Sequence, residues 1–194
     1  VARTKEFDPD AALRAALELF WARGYEATTM AELVEHLGIG RASIYATFGS
    51  KHELYLKALD RYAETQDPRI VEELSAPGPA LPGVRALVRR FAAEAAADEG
   101  RLNGCFVTNS AAELGPRDAA VARRVELSWE QLETLLHAAL TRARAGGELP
   151  ADRDPRALAR MLLVLMQGMR VVGKASSDPA RVGDAAEQAL ALLD

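Results

Sequence analysis

Two helix-start signals, Thr29 with Glu32 and Ser50 with Glu53, bracket a Gly38-Ile39-Gly40 turn, and no other stretch restricts this chain so tightly. In each pair the hydroxyl caps a backbone N–H of the first turn, and the glutamate reaches back to the cap residue. Glycine carries no Cβ penalty, so the turn between the pairs can be tight. The stretch predicts short helices over Met30–Leu37 and Arg41–Phe48, a second turn at Gly49 and a longer helix opening at Lys51. Two short helices joined by a glycine-containing turn describe a helix-turn-helix.

The faces of the second helix agree. Advancing about 100° per residue, Ile44 and Phe48 share an inner side with Leu33 and Leu37. Ala42 and Ala46 lie nearly opposite with Ser43 beside them, and Arg41, Tyr45 and Thr47 occupy the flanks. Small side chains on an exposed crest let a backbone approach base edges, and an alanine methyl can meet a thymine methyl. Arg41 can reach a guanine edge or a phosphate. Tyr45 can offer its hydroxyl to a phosphate, and Lys51 adds a cation to a helix N-terminus.

On Thr29, Gly38-Ile39, Ser43-Ile44-Tyr45, Phe48, Lys51 and Leu54, the stretch resembles the DNA-binding domain of the TetR/AcrR family of bacterial transcription regulators. The resemblance implies phosphate contacts from Thr29, Tyr45 and Lys51, and base or near-base contacts from Arg41, Ala42, Ser43 and Thr47. It implies an all-α fold, with a three-helix DNA-binding domain over residues 1–50 and a helical ligand-binding and dimerisation domain over 51–194, of which 51–74 is the connecting helix. The expected molecule is a cytoplasmic homodimer joined through its last two helices. It holds a palindromic double-stranded operator and, as a repressor, is released by a small-molecule effector. At Ala46-Thr47 the chain departs from the bulkier or more basic pair of many members.

Composition bounds this reading. The 194 residues are 49% hydrophobic, enough to bury a core, and few are aromatic. No run approaches the roughly 18 apolar residues of a membrane span, so no membrane partner is expected, and no signal-peptide pattern opens the chain. Cys105 is the only cysteine, which points to a reducing compartment and away from a structural zinc site. The net charge of −4 argues against a generally basic nucleic-acid surface. Residues 1–60 hold seven Lys/Arg against nine Asp/Glu. Placement restores the reading: Arg3 and Lys5 form an N-terminal arm, and Arg41, Lys51 and His52 are expected on the contact side. Few cationic phosphate contacts predict a modest salt slope of binding.

Along the chain, Asp8-Pro9 opens a first helix that Gly24 closes. The Lys51 helix carries Leu54, Leu59 and Tyr62 to about Leu74, and the Pro/Gly-rich run from Ser75 to Gly83 reads as a loop. Further helices are expected from Val84 to about Gly100, from Gly104 to Leu114 and from about Arg117 to Ala145. Asp154-Pro155 and Asp178-Pro179 start the last two. Leu158, Met161, Leu162, Leu163, Val164, Leu165, Met166, Met169 and Val172 leave much of the penultimate helix apolar, so it must be covered on two sides.

The resemblance places an effector pocket among the middle helices, with Phe91, Cys105, Phe106, Asn109, Trp129 and Met166 as candidate lining; each can also be plain core. Asn109 is an amide in an apolar helix and needs a partner. Cys105 opens a helix, where the macrodipole favours a thiolate. It reads either as a redox or electrophile sensor, with Lys174 as the cation that lowers its pKa, or as a buried, inert small hydrophobe. His36, His52 and His137 show no ligand spacing, and no nucleophile elbow or phosphate loop occurs, so neither metal, cofactor nor catalysis is expected. A helical dimer that meets an acidic protein partner is the alternative function; binding to DNA beside its own gene separates the two.

Overall fold

The computed structural model describes residues 7–97 and 103–194. Among them the regular structure is nine helices and no strand: α1 (Pro9–Arg23), α2 (Met30–Leu37), α3 (Arg41–Phe48), α4 (Lys51–Ser75), α5 (Leu81–Ala96), α6 (Phe106–Glu113), α7 (Ala119–Ala145), α8 (Pro155–Ala175) and α9 (Ala180–Ala191). The expected arm at Arg3 and Lys5 lies outside the described residues, and α5 ends at Ala96, short of the expected Gly100, where Ala97 turns to extended backbone.

Local chemistry accounts for most starts. Asp8 caps α1 through the Asp10 N–H, Thr29 and Glu32 make both halves of a capping box, and Ser50 accepts from the Glu53 N–H. Such a cap stabilises a helix by about 1 kcal/mol. Four starts differ from expectation, that of α9 only by one residue, at Ala180 with Pro179 as N-cap. Helix α5 begins at Leu81, inside the Pro/Gly-rich run, because Glu148 accepts the N–H groups of Ala80 (2.9 Å) and Leu81 (3.0 Å). Pro82 then falls in the first turn, where its missing N–H costs nothing. Helix α7 begins at Ala119, not Arg117, because Asp118 caps it through the N–H groups of Ala120 and Val121. Helix α6 begins at Phe106, with Cys105 as its N-cap.

Two cores organise the helices. One joins α1, α2, α3 and the first part of α4 (Leu54, Tyr55, Ala58, Leu59, Tyr62) to Cys105, Phe106, Val107 and Leu114 around α6, and to Val121 and Val125 of α7. The other joins the end of α4 (Ile70, Leu74) to α5, the rest of α7 from Leu132, α8 and α9. The core of the N-terminal helices, the head of the molecule, therefore does not stop at residue 50. It takes in α6 and the first turns of α7.

Candidate nucleic-acid interface and interior cavity

Helix α3 is held from within. Ile44 and Phe48 are buried beside Leu33, and Leu37 is half-buried. Gly38 closes α2 in the left-handed region (φ 67°), which a side chain would resist, and this turn sets α3 across α2. Outward stand Arg41, Ala42, Tyr45 (43% exposed) and Ala46, with Ser43 and Thr47 half-buried at their sides. An apolar inner edge and an uncrowded crest leave this rod rigid and accessible.

The flanking candidates are arranged differently from one another. Thr29 is exposed, yet its N–H and hydroxyl both donate to Glu32 (2.8 Å each), whose carboxylate also pairs with Arg23. These bonds, the Thr29 N–H first, hold the Glu32 carboxyl below its usual range. Lys51 stands with its ammonium 4.2 Å from the centre of the Tyr25 ring. His52 is not on the contact side. Its Nε2 lies 2.6 Å from Asp118 at the start of α7, so its polar edge is taken up inside the molecule. Asp118 is held below its usual pKa: partial burial alone would raise it, but the Val121 N–H, His52 and the Ala120 N–H outweigh that.

Further bonds tie α6 and its approach to α1 and α4. Trp21 donates to the Gly104 carbonyl (3.2 Å), Tyr55 donates to Ser110 (2.7 Å), whose own proton goes to the Phe106 carbonyl, and Glu113 accepts from the N–H groups of Tyr25 (3.1 Å) and Glu26 (2.8 Å). Burial pushes the Tyr55 phenol up to about 12, the Ser110 bond pulling the other way.

The expected pocket residues fall in three places. Phe91, Cys105 and Trp129 line a cavity of about 30 Å³ together with Tyr62, Ile70, Leu132, Gln167 and Arg170. That volume holds one or two waters. The cavity lies on the seam between the two cores, with lining from both. Phe106 and Asn109 instead face a wider hollow of about 390 Å³ between the end of α1, α4 and α6, with Lys174 at its side. Met166 is fully buried in the body core and lines neither. Asn109 donates to the Asn103 carbonyl (2.7 Å).

The cation on the thiol is Arg170, not Lys174. Its guanidinium donates to the Cys105 sulfur at 2.8 Å and lies 4.1 Å from the Phe91 ring centre. Lys174, one turn further along α8, reaches over Gly104. Burial first, and then the neighbouring Cys105, push the Tyr62 phenol above its ordinary range. The Trp129 Nε1–H is buried and finds no acceptor among the described residues.

The sequence model of bacterial regulatory proteins of the tetR family matches residues 12–58, and that of the tetracyclin repressor-like C-terminal domain matches residues 80–189. This chain belongs to the TetR family. It is 37% identical over 193 residues, 99% of each chain, to the HTH-type transcriptional regulator YezE of Bacillus subtilis strain 168. It is 32% identical over 169 residues, 87% of this chain and 80% of the other, to the HTH-type transcriptional repressor ComR of Escherichia coli K12. Among solved structures, a cysteine mutant of the TetR family transcriptional regulator CifR, complexed with 26-bp double-strand operator DNA, matches with a TM-score of 0.85 and 31% identity over 100% of both chains. The TetR chain described here is thus a transcription regulator with a helix-turn-helix head and a helical body. No helix among its described residues is long and apolar enough to cross a membrane.

Proposed function

We propose that this TetR regulator is a homodimeric repressor whose α3 crest reads a palindromic operator and which leaves that operator when a small molecule enters the body. The observation that carries the reading is α3 itself: a rod anchored by Ile44 and Phe48, with Arg41, Ala42 and Tyr45 exposed on its far side. The CifR complex, with the same fold, holds operator DNA. Arg41, Ala42, Ser43 and Thr47 face the bases, and Thr29, Tyr45 and Lys51 take phosphates, Thr29 by turning its hydroxyl from Glu32. Effector binding acts by preferring the body conformation that spoils the spacing of two reading helices.

Titration of the DNA beside its own gene tests this by fluorescence anisotropy. One dimer binds per palindrome, and Lys51→Ala or Tyr45→Phe each weakens binding roughly tenfold or more, since a hydrogen bond to a charged group contributes about 1.5–3 kcal/mol. Both variants remain dimers. Binding indistinguishable from wild type in both overturns the contact assignment.

A second reading concerns what the body senses. Arg170 on the Cys105 sulfur, at the wall of the seam cavity, favours a thiol that reports small electrophiles. The guanidinium sets a positive charge and a hydrogen-bond donor beside the sulfur that an electrophile would meet. The Trp129 N–H would then donate to an oxygen of the occupant.

A further inference from the structure

We infer that Tyr25 and Glu113 are positioning residues for the DNA backbone contact of Lys51, which makes that contact depend on the placement of α6. The inference rests on the reading of Lys51 as a phosphate ligand. Lysine is a flexible point charge, and an unrestrained one loses much rotamer freedom when it meets a phosphate. Here the ammonium is already placed, 4.2 Å from the Tyr25 ring centre, within cation–π range. The ring is itself fixed on three sides: stacked with Phe20 (6.3 Å between centres), and edge-on to Tyr55 (5.0 Å) and His52 (6.1 Å).

The backbone beneath that ring is fixed by α6, far along the chain from α1 to α3 though packed in the same core. Tyr25 and Glu26 follow α1, and no neighbour in sequence accepts their N–H groups. Glu113, the last residue of α6, takes one on each carboxylate oxygen, at 3.1 and 2.8 Å. Gly24 makes the approach possible. It has φ +86°, and a Cβ there would lie 2.8 Å from the Glu113 Oε2. The chain of contact therefore runs from α6 through Glu113 and Tyr25 to Lys51. Since α6 starts at Cys105 on the seam cavity, a shift of α6 along its axis pulls on the pedestal of this cation.

The salt dependence of operator binding by the full-length dimer tests the inference, because the slope of log K against log[salt] counts phosphates neutralised, at roughly 0.9 each. Lys51→Ala flattens that slope by roughly two, one contact per half-site. Tyr25→Leu and Glu113→Ala flatten it in the same direction. Tyr25→Phe, which keeps the ring, retains the wild-type slope, and Tyr25→Leu with Lys51→Ala is no flatter than Lys51→Ala alone. Helix content and dimerisation are checked for each variant; Glu113→Ala carries the test alone should Tyr25→Leu fail to fold. The inference is overturned if Lys51→Ala flattens the slope while Tyr25→Leu and Glu113→Ala weaken binding equally at every salt concentration, or if the Tyr25→Leu loss adds in full to that of Lys51→Ala. An unchanged slope in Lys51→Ala strikes instead at the phosphate assignment itself, and the inference falls with it.

Discussion

Cys105 is 2% exposed, so only a reagent able to enter the seam cavity can reach its sulfur. Burial by itself makes a thiol inert; the Arg170 guanidinium 2.8 Å away works against that. The two effects can be separated with N-ethylmaleimide. The thiolate adds across the maleimide double bond, an S–C bond replacing a C–C π bond; the other carbon takes a proton from water, as the thiol has given one up. The native protein is expected to be alkylated and to lose operator affinity, and Arg170→Leu to slow alkylation at least several-fold, because the sulfur loses the guanidinium that contacts it. If native Cys105 stays unmodified while urea-unfolded protein reacts, the sensing reading is wrong and the residue is plain core. The sequence offers both Arg170 and Lys174 on one face of α8, a turn apart. Choosing between them requires the height at which α8 crosses α6, a property of packing that periodicity does not carry.

Helix α4 belongs to both cores at once, and Pro68 sits where it changes from one to the other: Tyr62 is the last of its buried residues in the head core, and Ile70 the first in the body core. A proline inside a helix lacks an N–H and crowds the carbonyl four residues earlier, at roughly 3 kcal/mol. Pro68→Ala is expected to stabilise the protein by roughly 1–3 kcal/mol in urea unfolding, since alanine restores the N–H and removes the clash. A loss of stability would show instead that Pro68 is required to seat Ile70 and Leu74. Element starts set by a local cap were legible without the structure: Asp8-Pro9, Thr29 with Glu32, Ser50 with Glu53, Asp154-Pro155. The start of α5 was not, because its cap is Glu148, 67 and 68 residues away. The same holds for Glu113, whose partners at Tyr25 and Glu26 are 88 and 87 residues away. The crest of α3 was legible because a 3.6-residue period assigns faces directly. The pedestal beneath Lys51 was not, because it is assembled from α1, α4 and α6 together.

At the scale of the whole molecule, the outer face of α8 is the feature still without a covering. Val164 is 71% exposed and Val171 56%, with Met161, Leu165, Gly168 and Val172 along the same side at helical spacing, and Leu192 exposed near the end of α9. Valines so exposed on a helix whose opposite side is deep core call for a second chain, and a two-fold axis is the arrangement that covers both copies with one surface. One α3 rod spans only a few base pairs. In the proposed homodimer, two of them in successive major grooves stand about 34–36 Å apart, a spacing that the paired bodies would set. Val164→Glu would put like charges near each other across such an axis, in place of apolar contact. The expected outcome is a folded monomer in sedimentation velocity, with wild-type helix content and no operator binding at concentrations where the wild type is saturated. Lys51→Ala has the opposite signature, a dimer that binds DNA poorly. A Val164→Glu protein that remains dimeric would move the interface away from α8 and require another surface to hold the two reading heads at groove spacing.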